Sequence, residues 1–132
     1  MRYVMGIALG VAGTVAALVW LRRRFVAVTV VGVSMEPTLH AGQRLLARRA
    51  AGATGDVVVV RNPGADPSLL VKRLAACGGE PLPAVLGDGL VPEGWIAVLG
   101  DNPHRSMDSR HFGLLPASSV VAVIGSVPPR VE

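Results

Sequence analysis

From Val4 to Leu21 no residue carries a charge, while Arg2 precedes the run and Arg22, Arg23 and Arg24 follow it at once. A helix needs about 17 to 25 mainly apolar residues to cross the hydrocarbon of a bilayer, and this run sits near the lower limit. Gly6, Gly10 and Gly13 suit close helix contacts in lipid, and Trp20 marks one end. A cleavable secretory signal is the competing reading. Against it, the apolar core is long and the arginine triplet stands where a small-residue cleavage site belongs. Residues 1–24 are therefore expected to be an uncleaved anchor with a single transmembrane helix over about 4–21. Its orientation is ambiguous, because three arginines after the span against Arg2 and the α-amino group before it would, by the positive-inside rule, leave the rest of the chain in the cytoplasm.

The 132 residues leave room for one domain beyond the anchor. Hydrophobic residues at 51% against 17% charged are rich for a soluble chain, which the span accounts for. A net charge of +4 suits nucleic acid or an anionic lipid surface. The only basic run is the arginine triplet, and two Trp, one Tyr and two Phe are too few for stacking platforms, so no nucleic-acid partner is expected. Cys77 stands alone, which excludes an internal disulfide and a cysteine metal cluster. Its apolar lead-in, Leu74, Ala75 and Ala76, makes it a buried structural thiol.

After the arginines, short β-branched runs are separated by Gly, Pro and Asp, the pattern of an all-β domain with tight turns over residues 25–132. Strands are expected near Phe25 to Val33, Gln43 to Arg48, Asp56 to Arg61, Leu69 to Ala76, Trp95 to Leu99 and Ser119 to Val127. Two polar loops, Asn62 to Pro67 and Asp101 to His111, interrupt them, and Pro128 to Glu132 reads as a frayed end. A long loop with few apolar residues inside a small domain is more often functional than accidental.

Three segments carry chemistry. In Gly32-Val33-Ser34-Met35-Glu36-Pro37-Thr38-Leu39 a valine-rich strand ends in a serine and is stopped by proline, which places the Ser34 hydroxyl at a strand-to-turn corner where free backbone N–H groups could hold an oxyanion. Gly32 would let a substrate backbone approach closely. In Leu69-Leu70-Val71-Lys72-Arg73-Leu74, alternation sets Lys72 on one face and Val71 and Arg73 on the other. If the Lys72 face is apolar, desolvation lowers the amine's pKa and makes it a base that could activate a serine. The third segment, Gly100 to Gly113, holds Asp101, Ser106, Asp108, Ser109 and Arg110 at a density that suggests a hydrogen-bonded network. Taken singly, each also fits a bland reading: a proline turn, a solvated lysine, or surface ion pairs worth about 0 to 1 kcal/mol.

Together and in this order they resemble the type I signal peptidase family, serine proteases with a Ser/Lys dyad. Gly32, Ser34, Met35, Pro37, Thr38 and Leu39 are similar to its Gly-x-Ser-Met-x-Pro-Thr-Leu box, and Gly55-Asp56-Val57-Val58 to its Gly-Asp-hydrophobic-hydrophobic strand. Lys72-Arg73 stands where the family has its Lys-Arg pair. Gly100, Asp101, Asn102, Ser106, Asp108, Ser109, Arg110 and Gly113 follow its Gly-Asp-Asn-x-x-x-Ser-x-Asp-Ser-Arg-x-x-Gly loop.

The resemblance implies an antiparallel, barrel-like β-fold on an N-terminal anchor, with Ser34 as nucleophile, Lys72 as general base and Ser106 orienting the lysine. It implies that Asp108 and Arg73 pair to brace the site while Asp101 and Arg110 hold the last loop. Val30 and Val71 would line shallow pockets for small substrate side chains. With glycine at position 32, the oxyanion hole would rest on the Ser34 backbone N–H and its neighbours.

The expected partners are preprotein signal or leader peptides and the lipid bilayer. No cofactor and no metal are implied, since His40, His104 and His111 have no ligand spacing on a recognised element. Because signal peptides are cut on the outer face, the resemblance places the catalytic domain outside the cytoplasm, against the charge rule. Three alternatives stand beside this reading. One is a maturation protease dedicated to a single partner, such as a nickel superoxide dismutase precursor. Another is a self-cleaving repressor, whose N-terminus would have to be a DNA-binding domain. The last is a catalytically silent, membrane-anchored β-module that binds peptides.

Overall fold

The structure, a computed structural model, describes residues 1–64 and 68–130. The end of the loop expected at Asn62 to Pro67 and the last two residues of the expected tail lie outside the described residues.

The apolar run forms one helix, α1 (Arg2–Arg24), with a mean hydropathy of 2.2 over its apolar window. It is long and apolar enough to cross a membrane, and none of it is buried against the rest of the chain. Arg22, Arg23 and Arg24 occupy its last turn, where cations complement the helix dipole, and the Arg24 guanidinium lies 5.5 Å from the centre of the Trp20 ring. No linker follows. Phe25 is both the residue that ends the helix and the first residue of the sheet.

The remainder is mostly β: β1 (Phe25–Thr29), β2 (Arg44–Arg48), β3 (Val57–Arg61), β4 (Leu69–Cys77), β5 (Trp95–Leu99), β6 (Leu115–Pro116) and β7 (Val120–Gly125), with a one-turn helix α2 (Ser109–Phe112) between β5 and β6. All six expected strands are present. The first is shorter than expected, and the two-residue β6 has too little sequence to announce itself. The order is β1-β2-β7-β3-β4-β5-β6, every pairing is antiparallel, and the sheet curls into a half-barrel. Register shifts between β3 and β7 and around Ala75 on β4 supply the local twist that curling needs.

Strand β3 is covered on both faces, which is why Val57, Val58, Val59 and Val60 form a continuous apolar run rather than an alternating one. Val58 and Val60 pack with Leu74, Ile96, Val98, Leu115 and Val123. On the other side, Val57 packs with Val30, Met35 and Leu39, and Val59 with Ala47 and Ala122. Each such valine contributes roughly 1.5 to 3 kcal/mol of transfer free energy. Cys77 is half-buried at the edge of the first cluster, and its sulfur accepts from the Thr54 hydroxyl at 3.5 Å.

Candidate active site

The path of the chain after β1 decides where Ser34 sits. Pairing continues one residue past the strand, with the Val30 N–H donating to Gln43 O at 2.9 Å and its carbonyl accepting from Gly42 N–H at 2.8 Å. At Gly32 the backbone enters the left-handed region, φ 79°, and extension stops. A side chain at position 32 would meet nothing within 4 Å, so glycine is needed there for its backbone conformation. A turn follows, closed by Glu36 N–H to Val33 O at 3.1 Å and Leu39 N–H to Met35 O at 2.9 Å, and pinned by the buried side chains of Met35 and Leu39. Ser34 is thus held between a turn glycine and a buried methionine.

Ser34 and Lys72 line one cleft of about 260 Å³ whose wall includes Val26, Val28, Val31 and Val71. Val71 lines this cleft. Val30 does not. Its side chain lies in the core with Met35, Leu39 and Val57, while Val31, 77% exposed, faces the cleft. The bend at residues 31–32 breaks the strand alternation that the expectation for Val30 assumed.

Lys72 is 2% exposed and lies opposite Val58, on the face of β4 that also carries Leu74. Burial lowers its pKa from the usual lysine range, the Asp108 carboxylate pulls it back up, and the Arg110 guanidinium lowers it again; the net direction is down. Its Nζ donates to Ser106 Oγ at 3.2 Å, and Ser106 Oγ donates to Asp108 Oδ2 at 2.7 Å. The hydroxyl proton of Ser106 being committed to the carboxylate, its oxygen can only accept from the lysine. A neutral amine so held keeps its lone pair free for another proton.

Asp108 is fully buried and crowded with donors. Oδ2 accepts from Ser106, from the Gly100 N–H at 2.9 Å and from Arg110 Nη2, while Oδ1 accepts from Arg110 Nε at 2.9 Å and the Arg110 N–H at 3.1 Å. Burial alone would raise this carboxyl. The hydrogen bonds from Arg110, Gly100 and Ser106 outweigh it and hold the group far below the ordinary carboxylate range. Asp108 also caps α2, and its own N–H donates to His111 Nδ1 at 3.3 Å.

The expected Arg73–Asp108 pair does not form. Arg73 instead grips Asp101 with two bonds, Nε to Oδ1 at 2.9 Å and Nη2 to Oδ2 at 2.6 Å, and its Nη1 donates to the carbonyls of Gly55 and Val127, each at 2.8 Å. Register is the reason. Arg73 pairs with Leu99 across β4 and β5, so Asp101 emerges beside it, whereas Asp108 turns back to cap α2 and meets Arg110. The burial that would raise Asp101 is offset by Arg73 and by the Thr38 hydroxyl, leaving its pKa lowered.

Four residues of the quoted motifs have structural roles that sequence reasoning missed. Thr38 ties the serine turn to Asp101 and accepts the Arg130 N–H at 3.3 Å. Ser109 Oγ accepts the Val98 N–H at 2.9 Å inside the core. Asn102 donates from Nδ2 to Val33 O at 3.1 Å and from its backbone N–H to Ser34 O at 2.9 Å. At Gly100 a Cβ would fall 2.1 Å from Ser106 Oγ and 2.7 Å from Ser34 O, so only glycine lets the two walls of the site approach. Their places in the quoted motifs were the only cue to these residues; their partners depend on the path of the loop. His40, His104 and His111 are exposed.

Comparison with known proteins finds the sequence similar to signal peptidases and inner membrane proteases. The family model described as "Signal peptidase, peptidase S26" matches residues 2–82 and 80–127. The chain is 37% identical to the mitochondrial ATP-independent inner membrane protease subunit 1a of Arabidopsis thaliana over 103 residues, 67% of this chain and 61% of that protein. Against subunit 1b of the same plant it is 36% identical, covering 64% of this chain and 59% of that one. It thus spans about three fifths of the length of these two relatives. With signal peptidase I V of Bacillus subtilis (strain 168) the identity is 28%, over 87% of this chain and 92% of the relative.

Proposed function

The chain belongs to the signal peptidase family, peptidase S26, and on that footing we propose a membrane-anchored serine endopeptidase that removes N-terminal signal or leader peptides from preproteins. Ser34 is its nucleophile and Lys72 its general base. The observation that carries this is the Lys72 amine: buried, lowered in pKa, held by Ser106 and lining the same cleft as Ser34.

Chemistry follows from that arrangement. The Ser34 hydroxyl passes its proton to the neutral Lys72 Nζ as Oγ bonds to the scissile carbonyl carbon. The Ser34 backbone N–H and its neighbours hold the oxyanion. Lys72 then gives the proton to the departing amine, leaving an acyl group on Ser34, and afterwards takes one from the water that releases it. Ser106 orients the lysine, Asp108 with Arg110 fixes Ser106, and Arg73 with Asp101 anchors the loop. Val31 and Val71 limit the cleft to small side chains, and Gly32 permits the turn that presents Ser34. Residues 1–24 anchor the chain in the bilayer through α1, and residues 25–132 form the catalytic domain on the side away from the cytoplasm.

Ser34→Ala, assayed on a radiolabelled preprotein in detergent micelles, is expected to lose at least 99% of cleavage. The wild-type rate at subsaturating substrate is expected to rise with pH through the lowered pKa of Lys72, because an unperturbed lysine near 10.4 leaves fewer than about one amine in a thousand neutral at pH 7. Retention of cleavage by Ser34→Ala, or a rate that falls as pH rises from 6 to 9, would overturn the assignment.

A further inference from the structure

We propose that Asn102 is a positioning residue that aims the Ser34 backbone N–H into the cleft. This rests on the reading of Ser34 as nucleophile and adds the element that orients its oxyanion donor.

The argument starts from two bonds made by one residue. Asn102 Nδ2 donates to the Val33 carbonyl at 3.1 Å, and the Asn102 N–H donates to the Ser34 carbonyl at 2.9 Å. Among the described residues the only cis peptide is Glu36–Pro37, so the Val33–Ser34 unit is trans. In a planar trans peptide the carbonyl and the N–H point in opposite directions. Fixing the Val33 carbonyl toward Asn102 therefore turns the Ser34 N–H away from it. That N–H makes no hydrogen bond among the described residues, although Ser34 is half-buried. An amide donor left unused beside a cleft is available for an incoming oxygen.

Asn102 is well supported for such a role. Its carbonyl accepts the Arg105 N–H at 3.1 Å, and the preceding Asp101 is clamped twice by Arg73. Gly100, two residues earlier, packs so closely that a Cβ there would meet Ser34 O at 2.7 Å. The grip on the serine turn is thus made from a rigid strand end. Were the Asn102 side-chain bond lost, the Val33–Ser34 peptide could rotate about its flanking φ and ψ, the more easily because Gly32 tolerates many conformations.

The test compares Asn102→Asp, which keeps the shape but removes the donor, and Asn102→Ala in the full chain, with rates expressed per folded molecule from thermal melts. Substrate is a leader peptide spanning a cleavage site. Probes are the matching peptide aldehyde, whose hemiacetal with Ser34 carries a developing oxyanion, and the peptide amide, which lacks one. Removing an oxyanion donor outright costs about 10² to 10³ in kcat, so disordering one is expected to cost about 10- to 100-fold. KM and amide affinity should stay within about twofold while aldehyde affinity falls in parallel with kcat. Unchanged kcat in both variants, or equal losses for aldehyde and amide, would overturn the proposal. Ser34→Ala run alongside separates the two readings. If it is inert while both Asn102 variants match wild type, only the role of Asn102 fails; if it cleaves normally, the nucleophile assignment fails first.

Discussion

Lys72 shows how a single buried group shapes both chemistry and stability. Its pKa is lowered in the folded chain, so the native state binds that proton less tightly than the unfolded chain does. The resulting destabilisation is full below the folded pKa and fades as pH climbs toward the ordinary value near 10.4. Lys72→Met, close in size and chargeless, is therefore expected to be inactive yet to melt at or above the wild-type temperature at pH 7, with the difference shrinking as pH approaches 10. Circular dichroism melts across pH 6 to 10 check this, and a variant less stable at every pH would contradict it. The lysine was legible in the sequence because Leu70, Val71 and Leu74 surround it in a strand pattern. Val30 was not, because a local bend at residues 31–32 reverses which valine faces the cleft, and no periodicity reveals where a strand stops alternating.

Among elements, the loop from β5 through α2 joins the lysine strand to the serine turn. Asp108 sits at its hub, buried and bonded to Gly100, Ser106 and Arg110. Breaking a buried pair costs about 3 to 5 kcal/mol, and the lower end applies because Arg110 is partly exposed. Since the Asp108 pKa is depressed, its stabilisation is complete above the ordinary carboxylate value near 3.9 and is lost as pH falls toward the folded value. Asp108→Asn should accordingly melt well below wild type at pH 7, and the gap should narrow below about pH 4. A gap that is constant with pH would mean that packing, and not charge, accounts for the loss. The sequence revealed this loop as polar and dense. Which carboxylate met which arginine depended on the β4–β5 register, a long-range property that motif spacing does not encode.

At the level of the whole molecule, the arginines after α1 and the proposed function pull the topology in opposite directions. The positive-inside tendency favours a cytoplasmic domain, whereas cleavage of exported leaders requires the opposite face. The expected outcome is that protease added to intact spheroplasts digests residues beyond Arg24, and full protection, with an outer-face marker protein digested in the same samples, would reverse the assignment. The direct junction of α1 with β1 has a further consequence for what can be cut. Because Phe25 both ends the helix and opens the sheet, Ser34 is tethered by about ten residues, at most roughly 35 Å of fully stretched chain. Under the proposed function the anchor would act as a fixed-height ruler. A peptide bond would then be a substrate only while it is within that short reach of the bilayer surface, so the timing of cleavage would be set by when a preprotein's leader is still embedded beside the enzyme, before the mature segment has moved away.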